Sequence, residues 1–287
     1  MKPPPFGYSR PESLAEALTT LAGLGSDGKV LAGGQSLLPL LNMRLAAPQH
    51  LVDINRLSEL AYVRVADGQV RVGALARHAA VLADEAAAAA QPLLRQALRL
   101  VAHATIRNRG TTVGSIVHAD PSGEMTAVLA LLGGAVRVAR AGGERTVPAE
   151  EFFLGPLESA VGPGELAVEA SFPVLPPRTG TAFVEVARRH GDYAVCGVGA
   201  VVSLDEGGGV ASARAAYLSV SSTPLVLDLT SALGRAPDFA AAATAARGAV
   251  EPEPDIHATA DYRRHLAGVL TERALRAAHA EAEAERA

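Results

Sequence analysis

Leu14, Leu18 and Leu21 recur at spacings of four and three, which marks one apolar face of a helix. Ser9-Arg10-Pro11-Glu12 reads as its start: Ser9 can cap, Pro11 suits a first turn, and Glu12 completes a capping box. Gly23, Gly25 and Gly28 end it. Residues 29–32 and 51–54 are short apolar runs that read as strands. Val63 and Val65 alternate with Arg64, and Val70 and Val72 flank Arg71 across Asp67-Gly68, which predicts a tight hairpin. Residues 78–100 are Ala-rich and helical, divided at Pro92. Residues 110–124 are polar, carry glycines and read as a loop. A helix over 126–132 and strands over 136–138 and 164–172 follow. Residues 173–180 hold three prolines and read as a boundary. Beyond it, 196–204 and 210–220 form an antiparallel meander through Asp205-Glu206-Gly207-Gly208-Gly209. An Ala-rich helix over 239–247 is stopped by Gly248 and Glu251-Pro252-Glu253-Pro254. Residues 260–287 read as a terminal helix with Leu266, Val269, Leu270 and Leu275 in its stripe. Its last dozen residues alternate Ala with charge and are expected to fray. No repeat of fixed period is visible.

Composition narrows the function classes. At 287 residues the chain is long enough for two or three domains, and 49 % hydrophobic residues suffice to build cores. A net charge of −4 demands no basic face for nucleic acid. The longest apolar stretch, around 127–132, is too short to span a bilayer. Met1-Lys2-Pro3-Pro4-Pro5 has no apolar run behind it and does not read as a secretory signal. The single cysteine, Cys196, excludes a disulfide framework or an iron–sulfur cluster held by this chain alone. The eight histidines make no ligand pair of metal-site spacing. Redox chemistry would therefore need an organic cofactor or a partner's metal, and a reducing cytoplasm is the plain reading.

Two glycine-bearing loops are candidates for chemistry. The first runs Lys29-Val30-Leu31-Ala32-Gly33-Gly34-Gln35-Ser36. Gly33 and Gly34 permit positive φ and close approach, so consecutive N–H groups can form an anion-binding hollow. Gln35 and Ser36 add side-chain donors. The alternative is a plain strand-to-helix turn, and the dinucleotide pattern Gly-x-Gly-x-x-Gly is absent. The second loop carries Arg107, Arg109, Gly110, Thr111, Thr112, Gly114 and Ser115, then His118-Ala119-Asp120-Pro121 and Glu124. It suits a pyrophosphate and a sugar-like chain, and equally a solvated loop whose arginines meet Asp120 or Glu124. Cys196 reads as a small buried hydrophobe. Arg188 and Arg189 suit a partner, a cofactor or a solvated strand end.

Together these loops, with Ala187-Arg188-Arg189-His190-Gly191-Asp192-Tyr193-Ala194 and the late Asp255-Ile256-His257-Ala258 and Tyr262-Arg263, carry a resemblance. The chain resembles, over nearly its whole length, the FAD-binding medium subunit of the molybdenum hydroxylases, of the aerobic carbon monoxide dehydrogenase and xanthine dehydrogenase type. The resemblance implies an α+β fold: a two-lobed FAD-binding domain of the vanillyl-alcohol-oxidase-like type (lobes 1–57 and 58–175) and a C-terminal antiparallel sheet-and-helix domain (178–287). It implies that residues 29–36 embrace the FAD pyrophosphate and that Thr111, Gly114 and Ser115 close over it. It further implies that His118, Asp120 and Glu124 face the cofactor, that Leu166 packs near it, and that Tyr193 lies close to the isoalloxazine ring.

The expected function is an electron-transfer subunit with no catalytic base of its own. A molybdenum-cofactor large subunit oxidises substrate, a 2Fe–2S small subunit relays single electrons, and FAD here passes pairs to an external acceptor. The family assembly is a dimer of heterotrimers. Two departures bear on the cofactor. The family often has Thr-Ile-Gly-Gly where this chain has Thr111-Thr112-Val113-Gly114. Val113 disfavours positive φ, so it is expected to be extended or to alter the phosphate contact. Glu185 stands where many relatives carry Lys, and near phosphates it would either point away or weaken binding. The rival readings are a stand-alone flavin-dependent oxidase or dehydrogenase, and a binding module that has lost FAD.

Overall fold

In the computed structural model, which describes residues 2–284, the chain begins β1 (Gly7–Ser9), α1 (Leu14–Leu24), β2 (Gly28–Leu31), α2 (Leu37–Asn42) and β3 (His50–Asp53). The three strands pair in parallel in the order β1-β3-β2. Ser9 is not the helix cap. It ends β1, where its hydroxyl meets His50 Nε2 at 2.7 Å. The cap is Ser13, whose Oγ accepts the Glu16 N–H at 3.2 Å. The Ser-x-x-Glu spacing occurs twice in eight residues, and pairing of residues 7–9 with 50–52 decides which copy starts the helix.

β4 (Val63–Ala66) and β5 (Gln69–Gly73) form the expected hairpin, with Asp67 and Gly68 at φ 52° and 69°. The helical stretch after it breaks twice, giving α3 (His78–Ala83), α4 (Glu85–Ala90) and α5 (Pro92–Leu98). The unforeseen break is at Asp84, which turns extended and caps α4 by accepting the Ala87 N–H at 2.8 Å. α6 (Ala104–Arg107) and α7 (Thr112–His118) come next, so part of the expected loop over 110–124 is helical. Thr111 Oγ1 caps α7 through the Gly114 N–H at 3.1 Å, and buried Val113 and Ile116 hold it down. Polar and glycine-rich composition hid a helix that tertiary burial stabilises. Val113 is therefore helical, neither left-handed nor extended.

α8 (Glu124–Leu132), β6 (Ala135–Arg140), β7 (Gly143–Pro148), α9 (Ala149–Phe152), β8 (Phe153–Gly155), β9 (Glu158–Ser159) and β10 (Leu166–Pro173) complete this half. A five-stranded antiparallel sheet runs β4-β5-β10-β6-β7.

The last third is a four-stranded antiparallel meander of β11 (Thr179–Ala187), β12 (Ala194–Leu204), β13 (Val210–Leu218) and β14 (Leu225–Asp228), followed by α10 (Thr230–Leu233), α11 (Phe239–Ala249) and α12 (Ala260–Ala284). β11 went unread in the sequence, since its residues follow a proline-rich stretch and lead into the Arg188-Arg189 motif. Gly180 lies so close to α12 that a Cβ there would strike the Ala278 carbonyl and lie 2.5 Å from the Ala282 amide. Glu281 accepts the Thr181 N–H at 2.5 Å, and Ala278 and Ala282 are buried. The helix is thus held, not frayed, as far as Ala284, and residues 285–287 lie outside the described residues.

One buried core runs through the first two sheets, with Leu21, Val52, Val72, Leu94, Phe152 and Phe172, and takes in Phe183, Ala216 and Leu218 from the last third. A second core lies beneath α12, with Cys196, Val198, Ala267, Leu270 and Leu275. Each fully buried Leu or Phe contributes about 1.5–3 kcal/mol, so the shared core fixes the sheets against one another.

Candidate functional site

The two glycine loops meet. A Cβ on Gly33 would lie 2.5 Å from the Arg109 carbonyl, 2.7 Å from Gly110 Cα and 3.0 Å from the Thr111 amide. Only a glycine lets the backbones come this close. Gly34 has φ 73°, a left-handed turn that glycine adopts without strain. Among the described residues, the N–H groups of Gly33, Gly34, Gln35 and Ser36 have no protein acceptor. The Gln35 amide folds back over the Gly33 carbonyl at 3.4 Å. Gly114 and Ser115 lie in α7, their amides donating to Thr111 Oγ1 and the Thr111 carbonyl respectively.

Residues that the sequence reading passed over hold the loops together. Asn55, just after β3, donates to the Ala32 carbonyl at 2.9 Å and accepts from Arg77 Nη2 at 2.6 Å. Arg77 Nη1 donates to the Arg109 carbonyl at 2.6 Å. One side-chain pair thus ties the first loop to the second. Burial, and next Arg109, lower the Arg77 pKa, with Asp53 working the other way. Beneath it, the His78 amide donates to the Gly110 carbonyl at 3.0 Å, and His78 Nδ1 lies 3.2 Å from Thr112 Oγ1. Burial and Arg107 bring His78 down to about 4, so it is a neutral imidazole at neutral pH. A lone Asn and Arg carried no spacing signal.

The remaining candidates divide. Lys29, Val30 and Leu31 are in β2, which leads into the first loop through Ala32. His118 has its pKa lowered chiefly by burial, with Asp120 raising it and Lys29 lowering it. Glu124 begins α8, is 8 % exposed, and is raised to about 7 by burial, with Asp120 adding to the effect. Glu185, on β11, is raised to about 8 by burial and then by Glu124. Its Oε2 is buried without a partner among the described residues. It packs over Gly197, where a Cβ would lie 3.2 Å from that of Glu185. Tyr193 is 62 % exposed, while loss of water around its hydroxyl, then Asp120 and Glu124, raise it to about 12. Leu166, by contrast, is buried in the shared core, which also takes in Val30, Ala32 and Val113 of the two loops.

Asp120, Glu124, Glu185 and Tyr193 therefore gather where the last third meets the first two sheets. A backbone bond fixes that junction: the Ser219 amide donates to the Pro121 carbonyl at 2.9 Å. Gly191, at φ 86°, brings the Tyr193 turn against the His103 ring, 2.5 Å from a Cβ placed there. The site is a seam between lobes, with a row of amides at one end and carboxyls and a tyrosine at the other.

Residues 4–175 match the family described as the FAD binding domain in molybdopterin dehydrogenase, and residues 181–278 match the CO dehydrogenase flavoprotein C-terminal domain. The chain is 42 % identical to the 6-hydroxypseudooxynicotine dehydrogenase complex subunit alpha of Paenarthrobacter nicotinovorans, covering 96 % of this chain and 95 % of that one. It is 38 % identical to the carbon monoxide dehydrogenase medium chain of Hydrogenophaga pseudoflava, over 98 % and 99 %. The solved carbon monoxide dehydrogenase from Hydrogenophaga pseudoflava superimposes with a TM-score of 0.91 at 37 % identity, covering 98 % of this chain and 99 % of that chain. Quinoline 2-oxidoreductase from Pseudomonas putida 86 gives the same score, identity and coverage. These relatives bear the names of chains of multi-subunit enzymes. Among the described residues no helix is long and apolar enough to cross a membrane. The chain belongs to the FAD-binding medium subunits of the molybdenum hydroxylases, an α+β oxidoreductase subunit built to carry FAD.

Proposed function

We propose that this chain holds FAD in the seam between its lobes and passes electrons from a 2Fe–2S partner subunit to an external acceptor. A molybdenum-bearing large subunit oxidises the substrate, and the assembly is a dimer of heterotrimers in the cytoplasm. Residues 1–57 and 58–175 act as the two flavin lobes, and 178–287 closes the seam. The observation that carries the reading is the row of unclaimed amides at 33–36 pressed against 109–111. Amides of this kind suit a diphosphate, so the residues present fit the cofactor. Lys29, Val30, Leu31, Ala32, Gly33, Gly34, Gln35 and Ser36 would line one side of it, and Thr111, Gly114, Ser115 and His118 the other. Asp120 and Glu124 would accept from its hydroxyls, Leu166 would pack behind it, and Tyr193 would shield its ring.

Bound FAD supplies exchange between single-electron and paired-electron carriers. This chain's own residues bind it, orient it and keep a proton on Glu185 near neutral pH, which removes the anionic clash feared at that position. The relatives bear substrate names as different as carbon monoxide, 6-hydroxypseudooxynicotine and caffeine, which supports placing substrate choice on another subunit. The test is to produce the chain alone and with its two partner subunits. The chain alone is expected to be yellow and to oxidise no substrate of the assembled enzyme, while the complex oxidises it. Substrate oxidation by the isolated chain would contradict the reading in favour of a stand-alone oxidase.

A further inference from the structure

Arg263 and Asp255 belong to a motif singled out in the sequence, and the cofactor seam touches neither. Arg263, near the start of α12, is 7 % exposed, so its charge needs partners. Its Nη2 lies 2.5 Å from Asp255 Oδ2, and its Nη1 donates to the carbonyls of Ser219, at 2.6 Å, and Val195, at 3.1 Å. Asp255 is itself fixed: its Oδ1 accepts the amides of His257 and Ala258 at 2.8 and 2.9 Å. Burial works against the Asp255 charge, but those amides and the guanidinium bring it down to about 2, so its carboxylate is ionised at any physiological pH.

What the guanidinium grips is backbone close in sequence to the site residues. Val195 is two residues from Tyr193. Ser219 has φ 62°, a left-handed backbone that a non-glycine residue keeps only when its surroundings impose it. From there Ser219 reaches three ways. Its hydroxyl donates to the Ala194 carbonyl at 2.6 Å and pairs with the Ser122 hydroxyl at 2.8 Å, and its amide donates to the Pro121 carbonyl. Ala194 follows Tyr193, and Pro121 follows Asp120. A continuous chain of charged and neutral hydrogen bonds therefore runs from α12 to both sides of the seam.

We propose that the Asp255–Arg263 pair is a positioning device: it holds Ser219 in its left-handed turn and so fixes Tyr193 and the Asp120–Pro121 segment against each other across the domain junction. Its effect on a flavin rests on the reading given above. Its effect on the junction does not.

The test is hydrogen–deuterium exchange of the full chain with FAD, comparing wild type with Arg263→Lys and Asp255→Asn. Lysine keeps the charge but cannot span three acceptors. The Asp255 side chain is 44 % exposed, so Asp255→Asn leaves the core intact if Arg263→Lys does not fold. Exchange across 118–123, 192–196 and 218–221 is expected to quicken about tenfold, with 199–203 in mid-sheet unchanged. No change in the three segments, or equal loosening of the whole sheet, overturns the proposal. Flavin fluorescence lifetime reads the second link, because a tyrosine quenches flavin emission only at close range. Tyr193→Leu is expected to lengthen the lifetime, and Arg263→Lys to lengthen it in the same direction with no further gain in the double variant. A lifetime that responds to Tyr193→Leu but not to Arg263→Lys overturns the coupling to the flavin. A lifetime indifferent to Tyr193→Leu overturns the placement of Tyr193, and the exchange result then decides the clamp alone.

Discussion

Glu124 and Glu185 are carboxyls placed where water is scarce and no cation answers them. Burial, joined by Asp120 at Glu124 and by Glu124 at Glu185, raises them to about 7 and about 8, against an unfolded value of about 4.3. The folded state thus binds more protons than the unfolded state between these values. Stability from this source is greatest below the unfolded pKa and declines as pH climbs through 7 and 8. Melting of the wild type is expected to fall from pH 6 to pH 8.5, and Glu185→Gln to flatten the fall, raising Tm at the upper end by roughly 3 °C. Parallel curves for the two proteins would refute a protonated Glu185. His78 works the other way, being held near 4, so the stability tied to its neutral form is lost as pH falls from about 6.5 towards 4.

At the scale of elements, the binding loops depend on ties outside themselves. Asn55→Ala removes the bond to the Ala32 carbonyl and the acceptor for Arg77. FAD affinity by fluorescence titration is expected to drop about tenfold, with thermal unfolding still cooperative. Unchanged affinity would show the tie to be idle. Thr111→Val removes the α7 cap at a cost of about 1 kcal/mol, while Thr111→Ser keeps it, and melting curves separate them. The same elements show what the sequence made legible. The hairpin at Asp67-Gly68 was readable because its turn chemistry is local. The Gly33 and Thr111 loops were readable as a pair only through their resemblance to known flavin loops. α7 was not, because Thr112, Val113 and Gly114 are poor helix formers and only burial of Val113 and Ile116 makes them helical. The Ser9 cap misled because strand pairing with residues 50–52, a non-local fact, takes Ser9 away. Asn55, Arg77 and the left-handed Ser219 act through contacts tens of residues distant, and no local pattern announces them.

Across the whole molecule, two cores are joined by a seam in which α12 has a structural part. Its packing on β11 requires Gly180, since the Ala278 carbonyl and Ala282 amide occupy the space of a Cβ. Gly180→Ala is expected to push α12 off the sheet and lower Tm by several degrees, an overpacking cost of about 1–3 kcal/mol. A Tm equal to that of the wild type would mean that the helix end is loosely held.

The account turns on Gly33, where one lobe's backbone lies directly on the other's. The most direct measurement is the FAD dissociation constant of the full chain for wild type and Gly33→Ala, with folding of both followed by circular dichroism. The account predicts that the wild type binds a single FAD and that one added methyl group, by parting the two loops, weakens binding at least about tenfold in a folded protein. Equal affinities, or a wild-type chain that takes up no FAD, would contradict it.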